Sequence, residues 1–299
     1  MKTIRLTSFS MAILATLFCN SLFAQKGEPA LLHVIYEFIH IDDLNNPEDP
    51  IKETMELILG ETESKYLKHT KKVTPEELKA LMSASSGARR VAGAPIVMVD
   101  SRGGISNRVH YQHYGTGKLN FIEKLGMQSY LVEENLPKIK WDIKEERKKI
   151  GEHMCQKAVG EYAGRRYTAW FATELPWRNG PWKLSGLPGL ILEAEDEQKE
   201  VRFLFKELYA GGENESTAST HGRTTKTSAK AFERLKASYD QDPASFFQAQ
   251  LPSGGPTVRT VFVEKDGKTA DDATSKELLK KSQEQAKSKK PNPLELNKK

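Results

Sequence analysis

Short alternating runs separated by turns are the feature that most constrains how this chain of 299 residues can fold. Leu32 to Ile41 places apolar or aromatic side chains at every second position and a more polar set between them, which predicts a half-buried antiparallel strand. Lys52 to Leu59 and Glu63 to His69 flank a short Gly-containing turn and predict a hairpin. Similar runs predict further strands of a meander at Ile96 to Asp100, Arg108 to Tyr114, Lys118 to Lys124 and Gln128 to Glu134.

The second half of the chain continues this pattern and adds helices. Cys155 to Tyr162 and Arg165 to Thr173 meet at Ala163-Gly164 and predict a second hairpin. Strands are also predicted at Leu190 to Ala194, Val201 to Leu208 and Val258 to Val263, and helices at Thr74 to Ser86, Ala229 to Tyr239, Pro243 to Gln250 and Ser275 to Lys287. The sequence therefore predicts a mainly β fold, a large antiparallel twisted sheet that curls into an open or half barrel with a few peripheral helices.

The first 24 residues have the pattern of a secretory signal peptide. Lys2 and Arg5 precede an apolar stretch, and a cut is predicted between Ala24 and Gln25. A lipoprotein cut at Cys19 is disfavoured because the bulky Phe18 stands where small residues are needed. No later stretch approaches the ~20 apolar residues of a membrane helix, so we predict no transmembrane segment after the leader. The protein is expected to be exported, to the periplasm or the outer membrane.

After removal of the leader, the chain is predicted to form a single β-rich domain over residues 25–274. Its polar, Gly-rich stretch near 211–227 is predicted to be a mobile insertion. Residues 275–299 are predicted to form a basic helix and tail. The leader carries two basic residues and no acidic one, so the formal charge falls from +5 to +3 when it is cut. A basic tail of this kind is more often a solvated helix face than a nucleic-acid site, and we predict no nucleic-acid partner.

One region carries an unusual motif. Between Cys155 and Glu193 a lone cysteine and a tryptophan-rich run precede the string Gly186-Leu187-Pro188-Gly189-Leu190-Ile191, and the chain ends near Asn292-Pro293-Leu294-Glu295-Leu296. Together with Ile150-Gly151 and Lys157-Ala158 around the cysteine, these pieces resemble the GLPGLI family, exported proteins of Bacteroidetes without an assigned activity. The resemblance implies an address and an architecture but no reaction. It also extends to the bowl-like N-terminal domain of a flavobacterial peptide-N-glycosidase, which implies an open, curved sheet.

We call residues 180–189 the signature loop. Gly180, Pro181, Gly186, Pro188 and Gly189 most simply build two tight turns that lead into a buried strand, because Gly permits unusual backbone conformations and Pro fixes φ. The loop has no Gly-Lys-Ser/Thr sequence, so it is not a phosphate-binding loop.

Cys155 has three interpretations: a nucleophile, a metal ligand or a small buried apolar residue. His153 would share its face on a strand and gives the best local Cys/His pair, but two ligands are too few for a metal site. Since free cysteines are among the most buried residue types, burial is the preferred interpretation. We predict no metal and no cofactor.

The aromatic residues of this region are the best candidates for ligand contacts. Trp170, Trp177, Trp182 and Tyr167 fall close together in the sequence, and aromatic rings pack against sugars and peptide side chains. Core packing is the alternative and is favoured. No Gly-x-Ser-x-Gly or His-Glu-x-x-His motif occurs, so no catalytic residue is assigned.

The favoured function is a non-enzymatic binding or accessory protein whose partner is an envelope protein, a glycan or a peptide. One alternative is a secreted hydrolytic or thiol-dependent enzyme that uses Cys155. Another is an assembly partner of an outer-membrane transport complex, with the basic tail and Asn292–Leu296 as docking elements.

Overall fold

The computed structural model describes residues 27–70, 96–98, 108–219, 222–253, 259–261 and 288–296, with Glu277, Lys280, Lys281 and Glu284 between the last two ranges. The predicted signal peptide at 1–24 and the predicted helix at 74–86 lie outside the described residues. Within the described residues, no helix has the length and apolar character needed to cross a membrane.

The fold is mainly β, with 49% of the described residues in strands. The strands are β1 Leu32–His40, β2 Ile51–Leu59, β3 Glu63–Lys68, β4 Ile96–Met98, β5 Arg108–His113, β6 Lys118–Leu125, β7 Gln128–Asn135, β8 Trp141–Ile150, β9 His153–Tyr162, β10 Arg165–Ala172, β11 Leu190–Asp196, β12 Val201–Ala210, β13 Thr224–Thr227 and β14 Arg259–Val261. The helices are α1 Ala229–Gln241 and α2 Pro243–Ala249. The predicted fold class is confirmed.

Twelve strands form one open sheet in the order β13-β7-β6-β5-β3-β2-β1-β12-β11-β10-β9-β8. Neighbours pair antiparallel along the sheet except at one edge, where β13 runs parallel to β7. The remaining strands, β4 and β14, pair with each other in parallel. The sheet is built from sequential hairpins joined by the long-range pairing of β1 with β12.

The sheet is strongly curled, as its contacts with one loop demonstrate. Lys183 bonds Glu134 of β7, while the carbonyl of Ser185, two residues further on, accepts a hydrogen bond from Trp141 of β8. Strands β7 and β8 are ten steps apart in the sheet order, which in a flat sheet would separate them by roughly 48 Å. Two residues of loop span only about 7 Å. The prediction of an open or half barrel is therefore confirmed.

The curled sheet has an inner face that carries the main core. Val34, Tyr36 and Phe38 of β1 point to this face and are fully buried. The prediction of a half-buried strand is wrong, because His33, Ile35 and Ile39 on the other face of β1 are buried as well. Phe171 and Phe203 from the other half of the sheet join the same cluster. The core is thus the inside of the half barrel.

The outer face is covered in part by residues 211–219, which we call the strap. Its backbone bonds the segment before β1, with Ala30 N donating to Glu215 O at 2.9 Å and Thr217 N to Glu28 O at 2.9 Å. Thr217 is fully buried beneath these contacts. The strap lies within the segment predicted to be a mobile insertion; that mobility stays a prediction.

The strand predicted at Ile96 to Asp100 as part of the meander is β4, which lies outside the twelve-stranded sheet and pairs with β14. Two further strands differ from the sequence expectation. β8 was not predicted, because seven of its ten residues are charged and it lacks apolar alternation; it forms an edge that pairs only with β9, where charged side chains face water. β13 lies in the polar segment near 211–227 and pairs with β7. Both strands are set by a neighbour in the sheet rather than by their own hydrophobic pattern.

Both predicted central helices are present on the inner face beside β6 and β7. Ser228 caps α1 by accepting a hydrogen bond from Ala231 N at 3.2 Å. Phe232 is fully buried, with its ring edge-on to Phe121 at 5.2 Å. The four single residues described within the predicted C-terminal helix are also helical.

Residues 288–296 return to the sheet and are held there by Arg165. The Arg165 guanidinium is buried, lies 2.6 Å from Asp196 and 2.9 Å from Glu200, and also donates to the Asn292 side chain and to Pro293 O. A buried cation of this kind stabilises a fold only when its donors are satisfied. Here the Asn-Pro-Leu-Glu segment supplies the missing acceptors.

Replacing Arg165 should show how far the fold depends on this attachment. In Arg165→Met the fully buried Asp196 carboxylate loses its partner, and breaking such a pair costs between about 3 and 5 kcal/mol. Urea unfolding of residues 25–299 measures the loss. Arg166→Met, the exposed neighbour, is the control and should change the free energy of unfolding by less than about 0.5 kcal/mol. Equal effects of the two variants would contradict the assignment.

Candidate functional site

The signature loop belongs to the connection between β10 and β11 and fills the inner side of the curled sheet. Its backbone requires glycine at three positions: Gly186 has φ +99°, and a Cβ would lie 2.2 Å from the carbonyl oxygen of Ala172 at Gly189 and 2.8 Å from that of Leu184 at Gly180. Trp182 adopts φ +55°, a conformation that costs a bulky residue about 1–2 kcal/mol. Pro181 is buried and Pro188 is exposed. The loop conformation is therefore fixed by close backbone packing.

Polar side chains of the inner face hold the loop in place. The Asn179 side chain donates to Ser64 Oγ of β3 at 2.8 Å and accepts from Gly180 N at 2.7 Å. Gln112 of β5 donates to Trp182 O at 3.1 Å. These partners lie on different strands of the curled sheet, so the loop is docked by hydrogen bonds rather than by apolar contact alone.

Lys183 makes the strongest of these attachments. Its buried ammonium lies 2.6 Å from Glu134 of β7 and 2.7 Å from Glu295 of the C-terminal segment. The Tyr162 hydroxyl also contacts Glu295, at 3.4 Å. Burial, together with the charges of Glu295 and Glu134, raises the pKa of Tyr162, so its hydroxyl remains a donor. The ammonium and the two carboxylates of this cluster come from three separate parts of the chain.

The four aromatic candidates fall into two pairs. Tyr167 is fully buried and Trp182 is 3% exposed; the Trp182 ring lies 5.4 Å from Tyr162 and 6.4 Å from Phe203. Trp170 and Trp177 keep part of their surface exposed. A ligand could reach only the second pair without opening the core, and ligand binding by these residues stays a prediction.

Trp170 and Trp177 lie in different surroundings. Lys148 lies 4.6 Å from the Trp170 ring and is bound by Glu193 at 2.6 Å, so a cation already covers this indole. The Trp177 indole donates to Gly60 O at 3.3 Å and is followed by the exposed Arg178. Trp177 therefore offers the more open aromatic contact, at the rim of the half barrel.

Trp141, which the sequence analysis did not select, also belongs to the region. Its indole donates to Ser185 O at 2.9 Å, and its ring packs so closely on Gly160 that a Cβ there would lie 2.7 Å from it. Trp141 stands 44 residues before Ser185. A fourth tryptophan at the start of a charged stretch was the only signal that could have pointed to it.

The structure places Cys155 in the interior. Its thiol is fully buried and has only a weak contact to His153 O at 3.8 Å. Burial, followed by the charge of Glu193, raises the pKa of Cys155 to about 11. The His153 ring is instead paired with Glu174 at 2.5 Å. At neutral pH the thiol is protonated, and a protonated thiol is a poor nucleophile and a poor metal ligand.

Metal-ligating side chains do not cluster in the described part of the chain: no group of three or more His, Cys, Asp or Glu residues there could hold an ion. Around the signature loop the charged side chains are paired, although the buried Tyr167 hydroxyl has no hydrogen-bond partner among the described residues. These contacts stabilise the fold.

Comparison with known proteins gives a local match and a distant likeness. A family model described as "Protein of unknown function (Porph_ging)", associated with Bacteroidetes, matches residues 163–193. No curated protein matches the chain. Two solved structures of PNGF-II, in the P21 and C2 space groups, are 12% and 11% identical, with TM-scores of 0.47. Each match covers 69% of this chain, which spans about a third of PNGF-II, 33% and 32%.

The environment of Cys155 predicts an unreactive thiol. With a pKa of about 11 against about 8.5 for a free cysteine, the thiolate fraction at pH 8 falls by roughly two orders of magnitude. We expect residues 25–299, in which Cys155 is the one cysteine, to resist iodoacetamide at pH 8 for hours. The same protein in urea, the control, should react within minutes. Fast labelling of the folded protein, followed by mass spectrometry, would revive the thiol-enzyme interpretation.

Proposed function

We propose that this chain is an exported, non-enzymatic binding or accessory protein of the GLPGLI family that works in the periplasm or at the outer membrane. The sequence pieces that resemble the family support this assignment. The Porph_ging match at 163–193 supports it further, because it includes the whole of Gly186–Ile191. Export is supported by the pattern of residues 1–24.

One observation supports the non-enzymatic part of the proposal: the most reactive polar groups of the signature region are engaged or buried within the fold. Lys183 is neutralised by two carboxylates, Asn179 is bonded to Ser64, and the Cys155 thiol is buried and protonated. A reaction centre needs reactive groups that a substrate can reach. Because these groups stabilise the fold, the proposal places the function on exposed surface instead.

The exposed aromatic surface at Trp177 is the proposed ligand contact. It lies beside Arg178 at the rim of the half barrel, where an indole face and a guanidinium can contact a glycan or a peptide. The two alternatives have weaker support. Burial of Cys155 disfavours a thiol enzyme, and the internal bonds of Asn292 and Glu295 disfavour that segment as a free docking element.

Export can be tested directly with the complete chain expressed in a bacterial host. We expect a periplasmic product whose mass corresponds to a start at Gln25. Ala24→Tyr is the control, because a bulky residue just before the cut blocks signal cleavage, and it should leave a membrane-held precursor. A full-length cytoplasmic product, or a lipid-modified one that begins at Cys19, would contradict the proposal.

Ligand binding can be tested by thermal unfolding of residues 25–299 with panels of glycans and peptides. A ligand at 100 times its dissociation constant adds about 2.7 kcal/mol to the unfolding free energy, which raises the Tm of a chain of this size by roughly 5–10 °C. The shift should vanish in Trp177→Ala. It should persist in Met127→Ala, which removes another exposed apolar side chain at the β6–β7 turn. A panel without any shift would count against a binding protein.

A further inference from the structure

The C-terminal segment, residues 288–296, lies against the sheet in the manner of a bound peptide. It occupies a surface at the ends of strands β1, β10, β11 and β12, which we call the end groove. Pro291 forms an antiparallel bridge with Asp43 in this groove, and Asn292 N donates to Asp42 O at 3.0 Å. Addition of an extended stretch of chain through backbone hydrogen bonds is a common way for proteins to bind peptides.

Asn292 is the residue of the segment that the end groove contacts most completely, and it is buried there. Its side-chain oxygen accepts from Arg165, and its side-chain nitrogen donates to Ile41 O at 2.7 Å and to Glu200 at 3.0 Å. Its backbone carbonyl lies 2.7 Å from His40 Nε2, which donates to it. Asparagine offers an acceptor and a donor on one short side chain, whereas aspartate lacks the donor and leucine lacks both. The groove is therefore specific for asparagine at this position.

Arg165 divides its nitrogens between the sheet and the segment. Its Nη1 lies 2.6 Å from Asp196 and 2.9 Å from Glu200, two carboxylates that belong to the sheet side of the groove. Its Nη2 and Nε donate to Pro293 O at 2.9 Å and to Leu294 O at 3.3 Å, both in the segment. The sheet therefore holds the guanidinium in place while two of its nitrogens point at the segment, and such preorganisation lowers the entropy that binding costs.

Lys183 is divided in the same way and adds a second element of specificity. Its ammonium is held by Glu134 of β7 at 2.6 Å and meets Glu295 of the segment at 2.7 Å. Pro291 and Pro293 are exposed on either side of the asparagine, where their fixed φ limits the conformations that the free segment can adopt. The groove thus recognises an asparagine between two prolines, followed three positions later by an acidic residue.

We infer that the end groove is a peptide-binding site that the chain fills with its own C-terminal segment, and that it accepts the same segment from a second copy of the chain. The groups that grip the segment are anchored to other parts of the sheet, so its bonds are the same whichever copy supplies it. Exchange of an identical element between two copies is a low-cost route to dimers. The site goes beyond the proposed contact at Trp177 and does not depend on it.

The site is tested with a fluorescent synthetic peptide of residues 288–296, by anisotropy titration with residues 25–299. In the native chain the tethered segment competes at an effective concentration on the order of 1 mM, so the peptide should bind weakly. Asn292→Leu releases the chain's own segment and should tighten peptide binding roughly tenfold or more, because the lost bonds include one to a charged group. Where this variant fails to fold, Asn292→Asp takes its place, since aspartate keeps the shape and loses the donor.

Two controls separate the end groove from other surfaces. Asn135, an exposed asparagine of β7, bonds Lys118 at 2.9 Å, and Asn135→Leu should bind the peptide as the native chain does. A peptide with leucine in place of the asparagine should bind the Asn292→Leu chain roughly tenfold more weakly than the natural peptide. Equal binding of the two peptides, or equal binding by the native and Asn292→Leu chains, would overturn the inference. So would loss of binding when Trp177→Ala is added to Asn292→Leu, an outcome that would instead support the rim contact.

The second copy is tested with a complementary pair of chains. Asn292→Leu has an intact groove and a defective segment, whereas Arg165→Met has a defective groove and an intact segment. Native mass spectrometry of the two co-expressed chains should show a heterodimer, and each variant alone should remain a monomer. Peptide binding without a heterodimer would overturn the exchange between copies, and a dimer of either variant alone would show that the copies associate by another surface.

Discussion

The rest of this structure depends on the contact of one short loop with both ends of the sheet. Lys183 bonds Glu134 on β7 and Ser185 bonds Trp141 on β8. Two loop residues that are only two positions apart therefore connect strands near opposite edges of the twelve-stranded sheet. A closed barrel fixes its curvature by pairing its first and last strands. This sheet is open, and its curvature is set instead by the loop that fills it and by the Arg165 attachment of the C-terminal segment.

This arrangement explains why buried charge is tolerated on the inner face. A lone buried ammonium would cost several kcal/mol of desolvation, and pairing offsets that cost only with good geometry and satisfied hydrogen bonds. Lys183 has two carboxylates within 2.7 Å, and Arg165 has two carboxylates and three further acceptors. These pairs are directional, so they select one position for the loop and the chain end among the many that an apolar core would allow.

Much of the fold could be predicted from the sequence. The core-facing residues of a strand such as β1 follow a local alternation, and a turn such as Ala163-Gly164 can be recognised from its composition. β8 could not, since its charged residues become an edge strand only beside β9. The turn-forming glycines of the signature could also be recognised from the local sequence. In contrast, Arg165 and Asn292 are 127 residues apart, and the sequence around neither residue predicts their contact.

The polar side chains of the signature loop make their bonds within the fold. The signature is held by backbone demands, with Gly189 against Ala172 and Trp182 in a left-handed conformation, and by side chains that bond one another. Each of these groups gains its free energy within the protein and would lose it to a ligand. Trp177 is less fully engaged: its indole makes one hydrogen bond, to Gly60 O, and part of its surface stays exposed. Because binding energy must come from groups whose bonds the folded chain leaves unmade, the proposed ligand contact lies at the rim, while the signature itself stabilises the architecture.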